Sequence, residues 1–312
     1  MTNYEKAEIP ICSKDGARNA ITVYTPSSAH SNVVLLLLPA MGVSADYYEP
    51  LALACVSSGW HAVTADLRGV GQSSVRASRT TQFGHNEMIH CDWPAIVEAV
   101  RTRFPAECLY LLGHSLGGQL SALYLSANPA CADGLILVAS CSVHFWGWDF
   151  PRNIGVFVST QMIRLIAAFL GYFPGKTIGF GGIESGKVIK DWAYEALTGR
   201  YKIPGSPLDF EELLRRMRLP VLAISFDDDH FAPERAVRNL CNKMSGTQLT
   251  HRHFKPQDIG EQNLGHFLWV KKPAPVIREI EKWMRKLQSC GREDRLSLAA
   301  KDFEGKDKSA PA

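Results

Sequence analysis

The chain has 312 residues, of which 46% are hydrophobic and 21% charged, and its formal net charge is +3. That length suits one large α/β domain with a real core. So small a net charge gives no electrostatic reason to expect nucleic acid as a partner.

In chain order, Ile9 to Ile11 and Ile21 to Thr25 flank Lys14-Asp15-Gly16. This pattern predicts an antiparallel hairpin at a sheet edge. Runs that are apolar without alternation follow at Val33 to Leu38, His61 to Asp66, Cys108 to Leu112, Leu135 to Ala139 and Val221 to Ser225. Such runs read as strands buried on both faces of a parallel sheet. Helix-length amphipathic stretches lie between them: Tyr47 to Val56, Trp93 to Arg103 with Asp92 as its expected N-cap, and Leu116 to Ala127. The alternation implies an α/β fold with a mainly parallel central sheet and helices on both faces.

The rhythm breaks between Ser142 and Arg218, where Trp146, Trp148, Phe173, Phe180 and Trp192 collect beside Gly179-Phe180-Gly181-Gly182. An insert of that length needs structure of its own, and it is expected to be a mostly helical cap. The expected division is therefore a core of residues 1–141 and 219–290, a cap of 142–218 and a flexible tail of 291–312. The tail has ten charged residues in 22 and too few apolar ones to offset its ordering entropy.

Nothing at Met1 to Lys6 reads as a signal peptide. The eight cysteines, Cys290 among them, form no C-x-x-C pair and read as reduced thiols, hence a cytoplasmic protein. No spanning helix is expected, because Arg164 interrupts the longest apolar candidate, Ile154 to Phe173. As an amphipathic lid that segment could instead touch lipid peripherally. No cofactor is implied: there is no lysine-bearing phosphate loop, and Gly179 to Gly182 lies too deep in the insert to cradle a nucleotide.

Gly113-His114-Ser115-Leu116-Gly117 follows a strand and opens a helix. This is the setting in which a G-x-S-x-G turn presents a nucleophilic serine. A base and an acid should follow in the order acid, then histidine. Asp227-Asp228-Asp229 after the strand at Val221, and Gly265-His266-Phe267 near the C-terminus, satisfy that order. The expected set is Ser115 as nucleophile, His266 as base and Asp229 as the orienting acid. The backbone N–H groups of Leu116 and Met41 should face the developing oxyanion. Trp146, Trp148 and Phe267 are candidate substrate contacts, and His85 and His90 could also reach a substrate.

These residues, with Asp66-Leu67-Arg68-Gly69-Val70-Gly71-Gln72-Ser73, Asp191-Trp192 and the Asp229 to Pro233 spacing, resemble the α/β-hydrolase superfamily. The chain looks most like a bacterial group of serine hydrolases near the serine aminopeptidase and lysophospholipase branch. The resemblance implies the α/β-hydrolase fold. It also implies that Phe226, at a position often held by Gly, narrows the pocket. The expected reaction is hydrolysis of a small ester or thioester with an apolar acyl or aromatic part. Acyl transfer, amide cleavage and a non-catalytic binding role are the alternatives, and the oligomeric state is left open.

Overall fold

The apolar runs pair with one another because each needs cover on both faces and a partner on both edges. In the computed structural model, which describes residues 4–28, 32–260 and 263–287, they form one eight-stranded sheet. Its strands are β1 (Tyr4–Cys12), β2 (Arg18–Pro26), β3 (Val33–Leu38), β4 (His61–Ala65), β5 (Cys108–His114), β6 (Gly134–Val138), β9 (Val221–Phe226) and β10 (Leu249–Phe254). Their order is β1-β2-β4-β3-β5-β6-β9-β10. The expected hairpin is present: β1 and β2 pair antiparallel, with Cys12 opposite Arg18, and β2 joins β4 antiparallel. Every remaining pairing is parallel. Strands β3, β4, β6 and β9 are buried at every residue.

The connecting helices are α1 (Glu49–Ser57), the one-turn α2 (His85–Glu87), α3 (Trp93–Arg103), α4 (Leu116–Ala127) and α9 (Glu234–Lys243). From β3 the chain runs through α1 outward to β4; from β5 it runs through α4 the opposite way, to β6. Right-handed crossovers in opposite directions put α1 and α4 on opposite faces. The loops after β3 and β5 therefore diverge, which opens a crevice at the carboxyl ends of these two paired strands.

Asp92 does not cap α3. Its backbone is already helical, at φ −80° and ψ −49°, because a π-helical turn over Met88–Asp92 leads into α3. Its carboxylate is used elsewhere: it accepts Arg68 Nε at 2.8 Å, Arg68 Nη2 at 2.6 Å and Ser13 Oγ at 2.7 Å. Arg68 also pairs with Asp15 at 2.7 Å. A buried guanidinium requires such partners, and this one ties the β1–β2 hairpin to the start of α3.

Residues 142–218 lie between β6 and β9. They hold α5 (Arg152–Leu170), α6 (Gly175–Ile178), α7 (Gly186–Thr198) and α8 (Phe210–Arg216). A short antiparallel ribbon, β7 (Tyr172–Pro174) with β8 (Ile183–Ser185), was not anticipated. Buried polar bonds fasten the insert to the sheet domain. Phe83 N–H donates to Ser185 Oγ at 3.0 Å and His85 N–H to Asp191 Oδ2 at 2.9 Å. Within the insert, Glu195 accepts Ser142 Oγ at 2.5 Å and Val143 N–H at 2.8 Å, which ties α7 to the residues that leave β6.

By length and composition α5 is apolar enough to cross a membrane, in spite of Arg164. Phe226 does not narrow a pocket. It is fully buried and stacks between Phe254 and Trp269, with ring centroids 6.1 and 6.4 Å away. The described residues through Pro273 form one compact unit, and those from Ala274 a second, a helix over 274–287. The expected tail and Cys290 lie outside the described residues. The seven described cysteines are free thiols.

Burial raises the Glu195 carboxyl from 4.5 to about 7, against the opposing bonds from Ser142 and Val143. Because the folded-state value is raised, the stability linked to this group is complete below about pH 4.5. It is lost as pH climbs through 7. Glu195→Gln keeps the shape without the charge. It should gain stability over the parent at pH 8, by about 3 kcal/mol, and lose most of that gain at pH 5. Thermal midpoints at the two pH values check this; a pH-independent difference would remove Glu195 as the titrating group.

Candidate active site

The turn from β5 into α4 must reverse the chain within one residue. Ser115 makes it at φ 52° and ψ −117°, a conformation that costs an L residue of order 1–3 kcal/mol. The neighbouring glycines make it possible. A Cβ on Gly117 would stand 2.4 Å from the Leu38 carbonyl oxygen, and one on Gly118 2.1 Å from Ser140 Oγ. The result is a serine at the crevice mouth, half-buried, at the N-terminal end of α4. Leu116 is the first residue of that helix, so its N–H has no intrahelical acceptor.

The opposite wall is the turn after β3. Ala40 N–H donates to the Tyr48 hydroxyl at 2.9 Å, and that hydroxyl meets His114 Nδ1 at 2.6 Å. Both side chains are buried, and burial holds the His114 imidazole well below its ordinary pKa, hence neutral. Tyr48 thus ties the Met41-bearing turn to the strand end that carries Ser115. Asp66 supports the same turn, accepting Ala45 N–H at 2.7 Å and Gln72 N–H at 2.8 Å. The Asp66 to Ser73 motif is therefore scaffolding for this wall.

The three adjacent aspartates have three different surroundings. Asp229 is buried; its Oδ2 meets His266 Nδ1 at 2.8 Å while its Oδ1 accepts Phe231 N–H at 2.8 Å and Ala232 N–H at 2.9 Å. Asp228 accepts Gly265 N–H at 3.0 Å and so holds the loop that presents His266. Asp227 is exposed, with His253 Nε2 3.4 Å away. Trp269 Nε1 donates to the His266 carbonyl at 3.0 Å, which fixes the other side of that loop.

Ser115, His266, Leu116, Met41 and Phe267 line one pocket. Trp146 and Trp148 do not. Trp146 lies in a different surface cleft, beside His144 and Asn239, and Trp148 is buried with its Nε1 donating to the His230 carbonyl at 3.0 Å. His85 and His90 also lie elsewhere: His85 is buried and His90 Nε2 bonds Ser206 Oγ at 3.0 Å. The aromatic lining comes instead from Phe180, Trp192 and Phe231. The Phe180 ring lies 5.8 Å from Trp192 and 6.2 Å from Phe231, so the insert meets the acid loop over the pocket. Gln119, bonded to the Tyr201 hydroxyl at 3.2 Å, is a polar wall residue that sequence reasoning missed. Its place one turn beyond Ser115 on α4 was the available signal.

The glycine run of the insert also finds its place here. A Cβ on Gly42 would meet Gly182 N at 2.0 Å, so two backbones touch behind Met41. A carboxylate-oriented imidazole sharing a pocket with a serine at a helix N-terminus is an arrangement that can activate a hydroxyl for attack on a carbonyl.

Comparison with known proteins identifies the fold family. The alpha/beta hydrolase fold family model matches residues 33–268. The chain belongs to the α/β-hydrolase family. It is 27% identical over 177 residues to the abhydrolase domain-containing protein lid-1 of Caenorhabditis elegans, covering 55% of this chain and 45% of that protein. The chain thus spans less than half the length of that relative. It is 23% identical over 276 residues to a proline iminopeptidase of Lactobacillus helveticus, covering 80% of this chain and 89% of the other. Among solved structures, an esterase of Pyrococcus furiosus superposes with a TM-score of 0.59 at 12% identity, covering 91% of each chain, a likeness of fold.

Tyr48→Phe keeps the ring and removes the hydroxyl that holds Ala40 and His114. It should lower the unfolding free energy of this hydrolase-fold chain by about 2 kcal/mol. Urea denaturation measures this, and an unchanged midpoint would show that the hydroxyl bears no weight.

Proposed function

We propose that the chain is a serine hydrolase that cleaves an ester or thioester with an apolar acyl part, transferring the acyl group to water. The observation that supports this most is the hydrogen bond from buried Asp229 to His266, whose side chain lines the same pocket as Ser115. In this reading Asp229 fixes the tautomer, so that Nε2 of His266 is the basic nitrogen. It takes the Ser115 proton as Oγ attacks the carbonyl carbon. The N–H groups of Met41 and Leu116 stabilise the tetrahedral oxyanion. Collapse expels the alcohol or thiol, protonated by His266, and leaves an acyl-Ser115. Water, deprotonated by the same imidazole, then releases the acid. Residues 142–218 act as the cap, with Phe180 and Trp192 gripping the apolar part of the substrate.

The similarity to a proline iminopeptidase favours a second reading, amide cleavage by the same residues. Against it, no Asp or Glu is among the described pocket-lining residues, so a substrate ammonium would find no carboxylate there.

A fluorophosphonate probe tests the reading. It should modify Ser115 alone, and Ser115→Ala should stay unmodified. Asp229→Asn should cut turnover of p-nitrophenyl esters by roughly 10³- to 10⁴-fold, while Asp227→Asn leaves it near the parent. A folded parent that takes no label, or labelling indifferent to His266→Ala, would sink the proposal.

A further inference from the structure

Helix α5 is inverted relative to a helix that faces water. Its buried residues are Asn153, Thr160 and Ala167, seven apart, so only one narrow stripe meets the fold. Gln161 fastens that side, donating through Nε2 to the Ala193 carbonyl of α7 at 3.2 Å. The opposite side carries Ile154, Val158, Met162, Leu165 and Phe169, all exposed, with Leu165 at 62% and Phe169 at 83%. Their spacing of three and four places them on one face. The apolar surface continues past the helix start. The Phe157 ring lies 5.4 Å from Phe145, which lies 5.0 Å from the exposed Trp146. Single exposed apolar residues need no explanation, but a contiguous stripe of this length marks a contact surface.

Charge says what the contact is with. Between Phe150 and Leu208 the carboxylates are Glu184, Asp191 and Glu195, and all three are buried. Over the same stretch Arg152, Lys176, Lys187, Lys190, Arg200 and Lys202 are exposed. The flanking Asp149 and Asp209 are engaged, Asp149 by Arg235 at 3.1 Å and Asp209 by the N–H of Glu212 at 3.3 Å. Between Phe150 and Leu208 the exposed surface of the insert is therefore apolar and basic, and the exposed acids that flank this stretch, Asp149 and Asp209, are each already engaged. A second copy seated on this face by a two-fold contact would set basic side chains against basic side chains. An anionic lipid surface would complement them, at about 1 kcal/mol for each Lys or Arg near the headgroups.

We propose that α5 docks the chain onto an anionic lipid surface, lying in the interface plane with its apolar stripe among the acyl chains. A lying helix is favoured over a crossing one. Crossing would carry Asn153, Thr160 and Arg164 into hydrocarbon and break the bond from Gln161 to α7. The inner side of the helix faces the candidate active site. Ala167 belongs to a buried cluster with Phe173 and Ile189, against which Ile163, Met41 and Phe180 pack, and Met41 and Phe180 line the pocket of Ser115. Lipid on one side of α5 is thus one helix thickness from the pocket. The docking surface stands whether or not Ser115 is a nucleophile.

Vesicle flotation of the full chain tests it, with phosphatidylcholine vesicles made with and without phosphatidylglycerol. The chain should float with the anionic vesicles and less so as salt is raised, because salt screens the basic side chains. Leu165→Ser combined with Phe169→Ser should weaken vesicle binding roughly a hundredfold at an unchanged thermal midpoint, since both side chains are exposed. Ser115→Ala should bind like the parent, which separates docking from chemistry. Three results would overturn the proposal: no flotation with anionic vesicles, full binding by the double variant, or a parent dimer in sedimentation that the double variant converts to monomer.

Discussion

The strained turn at Ser115 is the constraint from which the rest of the site follows. A positive φ at a serine persists only where the surroundings over-determine it. Here they do so from two directions: β5 is hydrogen-bonded on both edges, to β3 and β6, and α4 packs tightly enough that Gly117 and Gly118 have no room for a side chain. Held this way, the serine cannot fold back into the helix. It stands at the carboxyl end of the sheet, at the point where the chain leaves neighbouring strands for opposite faces.

The other candidate groups are brought to that point by buried polar bonds. Tyr48 and Asp66 hold the turn after β3, and Asp228, Asp229 and Trp269 hold the loop of His266. Each of these bonds satisfies a backbone N–H, a carbonyl or a ring nitrogen that burial would otherwise leave at a cost of about 1–3 kcal/mol. Positioning and stability therefore have the same cause. The three adjacent aspartates illustrate it, for only the one that is buried against the imidazole is placed to orient it.

The insert reverses the usual assignment of polarity. Between Phe150 and Leu208 its acidic side chains are inside, where Asp191 fastens it to the sheet domain and Glu195 ties α7 to the first residues of the insert. Its apolar side chains are divided between the pocket, at Phe180 and Trp192, and the outer face of α5. One segment thereby supplies the aromatic wall of the pocket and an unpartnered apolar surface, with α5 and its packing against Met41 between them.

The sequence by itself determined the strands, the order of the helices between them and the turn at Ser115, because these depend on short-range patterns. Continuous apolar runs demand cover on both faces, and a glycine-flanked serine between a strand and a helix admits only one turn. Wherever a side chain's partner is distant in the chain, the tertiary structure decided. It turned Asp92 from a helix cap into the partner of Arg68 and put Phe226 in a stack with Trp269. It also moved the aromatic contacts from Trp146 and Trp148 to Phe180, Trp192 and Phe231. Aromatic composition shows that an insert has apolar surface to bury, whereas which ring meets the pocket depends on how α5, α7 and the β7–β8 ribbon pack, and that packing leaves no periodic trace in the sequence.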